Sequence, residues 1–378
     1  MREEREVFEI CLKKLENIMR DMPRSLPEYY ACSTGDYFQK YETAPHDFMS
    51  TETWQPSFFT GQAILAYEVT KDEKYLRWLE RFSDIYRDKV YAHSEQTMHD
   101  LGFLYILYSV GLYRLTGKEA YKAVSLKAAD ELAKRFNIKG AFIRAWGSAG
   151  DQGDERAGVA IIDCMMNLSL LFWASEVTGN PFYRDAASAH ADMAMKYFVR
   201  EDGSVFHAYR FDPKTGGAEG GANFCGYDRD SSWARGAAWA IYGFVNCYTH
   251  TRDEKYLDMS VKVCRKFIDS VKAEDEGEVI PVWDFRLPRE KEQAKDTSAA
   301  AIAACAVCEI LKYRQDEILG KYLDDVTEEL MKDKYFDSSI QIPGMLRESN
   351  GLHHYTLFGD YYFMELLAKR AYHLIPLW

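Results

Sequence analysis

Two aspartates have the sequence surroundings that best predict chemistry. Asp163 lies in the apolar run IIDCMM, where an unpaired charge is costly, and Asp100 lies in the segment MHDLGF. A buried carboxyl group near a second one tends to keep its proton at neutral pH, as a general acid must. Asp163 is therefore the stronger candidate, although a helix N-terminus would favour its charged form. Asp100 alone is equally well explained as a helix N-cap.

Paired carboxylates on neighbouring helices are typical of enzymes that cleave glycosidic bonds. We therefore predict a glycoside hydrolase with Asp163 and Asp100 as its catalytic pair. Aromatic residues make up 15% of the chain and are also typical of sugar-binding clefts, although most of them fill cores. The aromatic candidates for sugar contacts are Trp146, Trp233 and Trp239, and His207 is a candidate polar contact.

Arg235 follows Trp233 at the predicted start of a helix. Its planar guanidinium group can bind a carboxylate through two hydrogen bonds, so we predict that it binds a substrate carboxylate. The alternative is an ion pair with a structural acid such as Asp228 or Asp230. Asp296 begins another predicted inner helix and is expected to be an ordinary cap.

The sequence predicts neither a metal nor a cofactor. His353 and His354 are adjacent, but no matching spacing of Cys, His or carboxylate residues accompanies them. Cys305 and Cys308 form a C-x-x-C pattern inside the apolar run AIAACAVCEI, which indicates core residues rather than metal ligands. The eight cysteines are scattered, which favours a reduced, cytoplasmic protein.

Composition and charge exclude several classes of partner. The net charge is −12 and no basic stretch is present, so we expect no nucleic-acid partner. The start, MREEREVFEI, is charged and amphipathic, which predicts neither a signal peptide nor a membrane span. No apolar run approaches transmembrane length. The expectation is a cytoplasmic monomer or weak homo-oligomer without a membrane partner.

A short pattern, T-x-x-x-x-Y, recurs where one helical segment ends and the next begins. It occupies residues 70–75, 116–121, 178–183 and 251–256, with a weaker copy at 314–319. Asp72, Asn180 and Asp253 are predicted N-caps of the second helix, and Gly117 and Gly179 are predicted ends of the first. Each unit is therefore expected to be a helical hairpin with a variable insertion.

Helical periodicity marks twelve segments. They are 3–20, 57–70, 73–88, 98–116, 119–136, 160–178, 181–198, 233–251, 254–271, 297–314, 317–332 and 358–374. The first helix of each hairpin is apolar nearly all round, and the second carries charges on one face. This alternation predicts an all-α fold, an (α/α)6 barrel of six helical hairpins, as a single domain over residues 1–378.

The connections between hairpins are long and show no obvious helical or strand periodicity. Three of them span residues 137–159, 199–232 and 272–296. Long connections in a compact domain are usually functional, and these lie where the inner helices begin. The positive ends of those helices favour an anionic ligand there. The sequence thus predicts an active face at this end of the barrel.

Several of these segments together resemble the unsaturated glucuronyl hydrolases, glycoside hydrolase family 88. The matching segments are HDLGFLY (99–105), AWG (145–147), IIDCMMN (161–167), SSWARG (231–236), AIYGF (240–244), WDF (283–285), DTS (296–298) and YTLFGDYY (355–362). They follow the family's order from about residue 54 to the C-terminal helix. The family fold is an (α/α)6 barrel, in agreement with the helix count.

The resemblance implies an unusual reaction on a small anionic unsaturated oligosaccharide. Polysaccharide lyases leave a C4=C5 double bond in the terminal uronic acid, and the family hydrates this vinyl ether. By this resemblance, Asp163 protonates C4 and helps to deprotonate the water that adds at C5, while Asp100 positions the substrate and supports the developing positive charge. The resulting hemiketal opens and releases the neighbouring sugar.

The same resemblance assigns the substrate contacts. Trp146, Trp233 and Trp239 would shape the sugar site, and His207 and Arg235 would hold polar groups. Trp54 and His99 complete the predicted set of substrate-binding residues.

The chain departs from the family pattern at several positions. Cys225 stands where the family commonly has Gln, and Ala237 where it commonly reads R-G-Q-A-W. The segment that begins at Trp54 departs from the form W-T-x-G-F-W-x-G.

Three alternatives remain open at this stage. An unsaturated rhamnogalacturonyl hydrolase shares the fold and chemistry. A sugar 2-epimerase on the same fold would need catalytic histidines, for which only His99 and His207 are well placed. A non-catalytic sugar-binding protein would have no activity to lose when Asp163 is changed.

Overall fold

The computed structural model describes residues 2–21, 27–29, 42–43, 54–151, 153–275, 277–288, 291, 293–349, 355–375 and 377–378. His353 and His354 lie outside this part of the chain. No helix within it is long and apolar enough to cross a membrane.

Twelve helical stretches make up most of the described chain. They are α1 (Glu4–Asp21), α2 (Pro56–Thr70), α3 and α4 (Lys74–Leu79 and Ser83–Tyr91, joined by a 3-10 turn at Glu80–Phe82), α5 and α6 (Leu101–Tyr105 and Gly111–Thr116, joined by a π-helical turn at Ile106–Val110), α7 (Glu119–Ala133), α8 (Cys164–Thr178), α9 (Pro181–Tyr197), α10 (Ala234–Thr251), α11 (Glu254–Glu274), α12 (Thr297–Leu311), α13 (Glu317–Leu330) and α14 (Leu357–Tyr372). A further 3-10 turn covers Ser94–Gln96.

Six of these stretches form a closed inner ring. Helix α2 packs against α5, α5 against α8, α8 against α10, α10 against α12, α12 against α14, and α14 against α2. Every residue of α10 from Ala234 to Tyr248 is buried, and so is every residue of α12 from Thr297 to Val307. These helices can be enclosed on all sides because their side chains are mostly apolar. The other stretches form the outer layer, and one continuous apolar core lies between the layers. The prediction of an (α/α)6 barrel is confirmed.

The predicted turn signals between inner and outer helices are also confirmed. Asn180 accepts a hydrogen bond from the Phe182 N–H, and Asp253 accepts one from the Lys255 N–H. Asp72 accepts the Lys74 N–H in the same way. Gly117 and Gly179 end their helices with φ values of 67° and 71°, in the left-handed region that favours glycine.

The long connections, which show no obvious strand periodicity in the sequence, nevertheless contain short strands. They contain β3 (Phe136–Asn137) with β4 (Phe142–Ile143), and an antiparallel sheet of β5 (Val159–Ile161), β6 (Ala208–Phe211) and β7 (Ala218–Ala222). Two further short strands, β1 (Pro27–Tyr29) and β2 (Glu42–Thr43), pair near the N-terminus.

The prediction of a helix from residue 160 is wrong by four residues. Val159 and Ile161 are β-branched and pair with β6, so α8 begins only at Cys164. Such short strands carry too few residues for an alternating pattern to show in the sequence. They matter because they bring the loop after α9 next to Asp163.

Candidate active site

The two aspartates occupy equivalent positions on neighbouring inner helices. Asp100 directly precedes α5, and Asp163 directly precedes α8. Neither side chain accepts a capping hydrogen bond from its helix. Asp100 thus occupies the N-cap position, as the alternative predicted, but its side chain does not cap the helix, and both carboxyl groups remain available for other contacts.

A close helix contact sets the position of one aspartate relative to the other. A Cβ atom added to Gly102 would lie 2.3 Å from the Asn167 Cα atom, so α5 and α8 approach as closely as glycine permits. The Asn167 side chain accepts a hydrogen bond from the Phe103 N–H at 2.8 Å and donates one to the Asp163 carbonyl at 3.2 Å. One asparagine thus joins the first turns that carry Asp100 and Asp163.

The pKa values of both carboxyl groups lie near neutral pH. Each aspartate side chain is only 14% exposed. Burial raises the pKa of Asp100 to about 7, against the opposing charges of Arg135 and Lys89. Burial and then the charge of Asp100 raise the pKa of Asp163 to about 7. The Asp163 Oδ2 atom has no hydrogen-bond partner within the described chain. The pair can therefore hold one proton at neutral pH.

His207 faces Asp163 with a defined tautomer. Its Nδ1 atom accepts the Phe224 N–H at 2.9 Å, and burial lowers its pKa to about 3, so the neutral ring carries its proton on Nε2. Nε2 lies 3.6 Å from the Asp163 Oδ2 atom. The sheet fixes this arrangement, because the Ile162 N–H donates to the His207 carbonyl at 2.9 Å.

His99 faces Asp100, with 3.3 Å between its Nε2 atom and the Asp100 Oδ1 atom. Burial lowers the pKa of His99 to about 3 as well. Its backbone N–H donates to the Ala145 carbonyl at 3.1 Å, just after β4. Each aspartate therefore has one neutral histidine beside it.

Two residues that frame the site were missed in the sequence. Arg135, just after α7, donates to the carbonyls of Thr97, Arg144, Ala145 and Gly147, and so joins the segments that carry His99 and Trp146. His190 on α9 accepts the Ile143 N–H at 2.9 Å. His190 lies on an outer helix and Arg135 in the turn that follows one, and both segments read as ordinary amphipathic sequence, so only the tertiary structure identifies these residues.

Arg235 has a structural partner. Its Nη1 atom donates to Asp296 Oδ2 at 2.7 Å and to Ser298 Oγ at 3.2 Å. The expected structural partners, Asp228 and Asp230, are not the acids that pair with it. Asp296 also caps α12 as predicted, through Ala299.

The Arg235 guanidinium lies over two aromatic faces, 4.7 Å from the Trp233 ring centroid and 4.8 Å from that of Phe358. An ion pair on one side and two rings on the other therefore fix its orientation.

The predicted tryptophans lie at different depths. Trp239 is fully buried, with its ring 5.2 Å from that of Phe103. Trp233 is almost fully buried and lies 5.0 Å from His207. The Nε1 atoms of both have no hydrogen-bond partner within the described chain, which fits a pocket completed by a ligand or water.

The two remaining tryptophans are half-buried. Trp54 stacks on Phe358 at 5.0 Å, and Trp146 meets Phe224 edge-on at 4.9 Å. These two rings have accessible surface for sugar contacts, whereas Trp233 and Trp239 are almost entirely buried.

Cys225 lies at the mouth of the site, where it is exposed. Desolvation and the charge of Asp163 raise the pKa of its thiol to about 12. The side chain at this position is therefore a neutral thiol that senses the charge of Asp163. Within the described residues no three His, Cys, Asp or Glu side chains cluster as a metal site would require.

Comparisons with known proteins identify relatives of this chain. A family model described as Glycosyl Hydrolase Family 88 matches residues 31–312. The chain is 33% identical to an unsaturated glucuronyl hydrolase of Bacillus sp. GL1 over 351 residues, which cover 89% of this chain and 91% of that protein. It is 32% identical to an unsaturated chondroitin disaccharide hydrolase of Streptococcus pneumoniae over 352 residues, 88% of this chain and 87% of that protein.

A solved structure shows the same architecture. The crystal structure of the Bacillus sp. GL1 unsaturated glucuronyl hydrolase, described as responsible for the degradation of glycosaminoglycan, has a TM-score of 0.86 and 29% identity. The match covers 97% of this chain and 96% of that chain.

Proposed function

The chain belongs to glycosyl hydrolase family 88, and on this premise we propose that Asp163 and Asp100 carry out the hydration that releases a 4,5-unsaturated uronic acid from an oligosaccharide. The protein is a glycoside hydrolase. One observation carries the assignment of the pair. The two aspartates precede neighbouring inner helices, and burial raises the pKa of each carboxyl group to about 7. One proton can then be held ready for transfer at neutral pH.

The proposed reaction begins with transfer of the Asp163 proton to C4 of the unsaturated sugar. The C4=C5 electron pair forms the new C–H bond, and the positive charge develops at C5 and the ring oxygen. Water adds at C5 and gives its proton back to the Asp163 carboxylate. The C5 hemiketal then opens, and the anomeric carbon loses the neighbouring sugar as it becomes an aldehyde. Overall, the reaction consumes one water molecule.

Asp100 and the two histidines are proposed to support this proton transfer. When Asp163 is protonated, a charged Asp100 stabilises the positive charge at C5. The neutral His207 points its Nε2–H towards Asp163 and can hold the carboxylate that forms. His99 does the same for Asp100. With pKa values near 3, these histidines are poor bases, which speaks against a sugar 2-epimerase.

The remaining predicted residues are proposed to bind the sugar. Trp54 and Trp146 offer accessible ring surface, while Trp233 and Trp239 support the pocket from below. Arg235, held by Asp296, would attract the substrate carboxylate.

The substrate class that we propose is the unsaturated disaccharides that lyases produce from glycosaminoglycans. The two relatives are named for glucuronyl and chondroitin disaccharide substrates, which supports this class. An unsaturated rhamnogalacturonyl substrate would use the same chemistry, so it belongs in the test.

We also propose that the protein acts in the cytoplasm as a monomer or weak homo-oligomer, without nucleic-acid or membrane partners. The free cysteines among the described residues fit a reducing compartment. Cell fractionation and light scattering would check these two points.

The test is the ultraviolet absorbance of unsaturated disaccharides from chondroitin, hyaluronan, heparin and pectin, incubated with and without the protein. We expect the conjugated-acid absorbance to disappear on a glycosaminoglycan substrate, together with release of the second sugar. Disappearance on the pectin fragment alone would move the substrate to the rhamnogalacturonyl class. A protein that binds these sugars but leaves every absorbance unchanged would be a binding protein, and the proposal would fail.

A further inference from the structure

A buried cation lies behind the catalytic pair. Arg135, in the turn between α7 and β3, is almost fully buried. Its guanidinium group donates to the backbone carbonyls of Thr97 at 2.7 Å, Arg144 at 2.9 Å, Ala145 at 3.2 Å and Gly147 at 2.8 Å. These acceptors carry no charge, and no carboxylate of the described residues forms an ion pair with Arg135. A charge buried in this way needs a counter-charge nearby.

The backbone contacts place Arg135 next to the segment that carries Asp100. The Ala145 carbonyl that accepts from Arg135 also accepts the His99 N–H at 3.1 Å, and Asp100 is the next residue. Burial and the charge of Arg144 lower the pKa of Arg135 to about 10, and the charge of Asp100 opposes this shift. The charge of Arg135 in turn opposes the rise that burial causes in the pKa of Asp100. The two charges therefore stabilise each other.

The positive charges around the pair are unequally distributed. Lys89 on α4 acts on Asp100 in the same direction as Arg135. Arg235 is the cation that acts on Asp163, but it forms an ion pair with Asp296 at 2.7 Å. Its charge is thus already balanced by a carboxylate. Asp100 consequently has the more positive surroundings of the two acids.

Four other titratable side chains that interact with the pair are neutral. Burial lowers the pKa of His99 and His207 to about 3. Burial also raises the pKa of Cys164 well above its ordinary value and that of Cys225 to about 12. None of these groups carries a charge near pH 7, so the difference between the two acids comes from the arginines and Lys89.

This difference decides where the shared proton lies. Both carboxyl groups have a pKa of about 7, and a nearby cation favours the charged form of the acid closer to it. We propose that Arg135 is a positioning residue that keeps the negative charge of the pair on Asp100 and leaves the proton on Asp163. This inference rests on the proposed function, in which protonated Asp163 supplies the proton for C4 and charged Asp100 stabilises the charge at C5.

The first experiment titrates the native protein without substrate. Aspartate labelled with ¹³C at Cγ gives an NMR signal that follows the protonation of each carboxyl group, and Asp100→Asn and Asp163→Asn assign the two signals. As the pH rises, the Asp100 signal is expected to change before the Asp163 signal. A native protein in which Asp163 loses its proton first would overturn the inference.

The second experiment separates the charge of Arg135 from its hydrogen bonds. Arg135→Gln keeps an amide donor but removes the charge, whereas Arg135→Lys keeps the charge. In Arg135→Gln the titration midpoint of Asp100 should rise by about 1–3 pH units. Its kcat should fall by about tenfold or more, since each unit changes the ratio of protonated to charged acid tenfold. Arg135→Lys should keep the native order of titration.

Arg144→Gln is the matched control. Arg144 is equally buried and donates to the Trp146 carbonyl at 2.7 Å, but it forms an ion pair with Asp154 at 3.0 Å. Its loss disturbs the same loop without removing the charge that acts on Asp100. The control should therefore keep the native order of titration, whatever happens to its KM.

A purely structural role of Arg135 predicts different results. The inference is overturned if Arg135→Gln keeps the native order of titration, or if Arg135→Lys titrates like Arg135→Gln. Circular dichroism checks folding, and the native titration decides the matter if Arg135→Gln does not fold. If no unsaturated substrate is turned over, the proposed function fails, and the titrations still show which aspartate holds the proton.

Discussion

The raised pKa values of Asp100 and Asp163 come from the surroundings of two ordinary carboxyl groups. The apolar run around Asp163 already predicts a raised pKa, and the structure gives a value of about 7 for both members. The sequence did not reveal His207 as the partner of Asp163, nor Asp296 as the partner of Arg235. Those pairs join residues 44 and 61 positions apart, and only the folded chain brings them together.

The first prediction at the residue scale concerns the pH dependence of activity. Proton transfer to C4 requires protonated Asp163, and protonation is lost as the pH rises through about 7. We expect kcat to fall progressively above pH 7, measured by absorbance under saturating substrate. A kcat that stays constant from pH 6 to pH 9 would contradict the assignment of Asp163 as the acid.

The second prediction concerns stability. The pKa of Asp100 is higher in the folded protein than its ordinary value of 3.8, so the folded state binds the proton more tightly. The stability that this proton provides is complete below the unfolded pKa and is lost as the pH rises through about 7. Asp100→Asn should therefore raise Tm at pH 8 more than at pH 4.5.

The control for this comparison is Asp84→Asn on the exposed side of α4. It should change Tm little at either pH. If Asp100→Asn changed Tm equally at pH 8 and at pH 4.5, the pKa of Asp100 would not be raised by burial in the folded protein.

At the scale of elements, the close contact of α5 and α8 positions Asp100 relative to Asp163. Gly102→Ala would place a methyl group 2.3 Å from the Asn167 Cα atom, a backbone atom that cannot rotate away. We expect a loss of stability of about 1–3 kcal/mol from overpacking. We also expect kcat to fall by up to about 10²-fold, because a shift of about 1 Å between catalytic groups can have this effect.

Gly320→Ala on α13 is the matched control, since a Cβ atom there meets nothing within 4 Å. Alanine should stabilise that helix by about 0.5–1 kcal/mol and leave kcat unchanged. Denaturant unfolding and steady-state kinetics give both readouts. Equal effects of the two substitutions would mean that the α5–α8 contact does not position the pair.

The helices were predictable because each has a long periodic pattern and a recognisable turn. The strands were not, because β3 and β4 have two residues each and β5 has three. In addition, β5 pairs with a strand far along the chain, as in the pairing of Ile161 with Ala208. The sheet that presents His207 to Asp163 is thus a product of tertiary structure.

At the scale of the whole molecule, a buried ionic network joins three inner helices. Lys369 on α14 pairs with Glu365 at 2.7 Å and with Glu309 on α12 at 3.1 Å, and it donates to the Tyr242 hydroxyl on α10 at 2.5 Å. The Trp378 Nε1–H donates to Glu365 at 3.0 Å. Burial would lower the pKa of Lys369, but the charges of Glu309 and Glu365 outweigh this effect and raise it.

Lys369→Met would leave the buried Glu365 carboxylate without its cation, and the buried Glu309 carboxylate with Lys312 alone. We expect a loss of about 3–5 kcal/mol in the free energy of unfolding, measured with denaturant, because breaking a buried pair leaves an uncompensated charge. Lys321→Met, which removes the exposed pair with Asp325, should cost no more than about 1 kcal/mol. Comparable losses in the two variants would contradict the role of the network in closing the barrel.

The twelve-helix barrel itself was predictable from the repeat, since each hairpin shows the same order of apolar helix, turn and amphipathic helix. The ionic network was not, because Glu309, Glu365 and Lys369 read as ordinary charged positions of helices. Ring closure places α14 between α12 and α2, and only then are these charges enclosed together.

The central claim is that Asp163 transfers the proton that hydrates the double bond. The most direct measurement compares single-turnover loss of absorbance for the native protein and Asp163→Asn, with substrate binding measured by calorimetry. The account predicts unchanged binding and a rate lower by about 10²–10⁴-fold in the variant, the range expected for general acid–base catalysis. An Asp163→Asn protein that consumes the double bond at the native rate would contradict it.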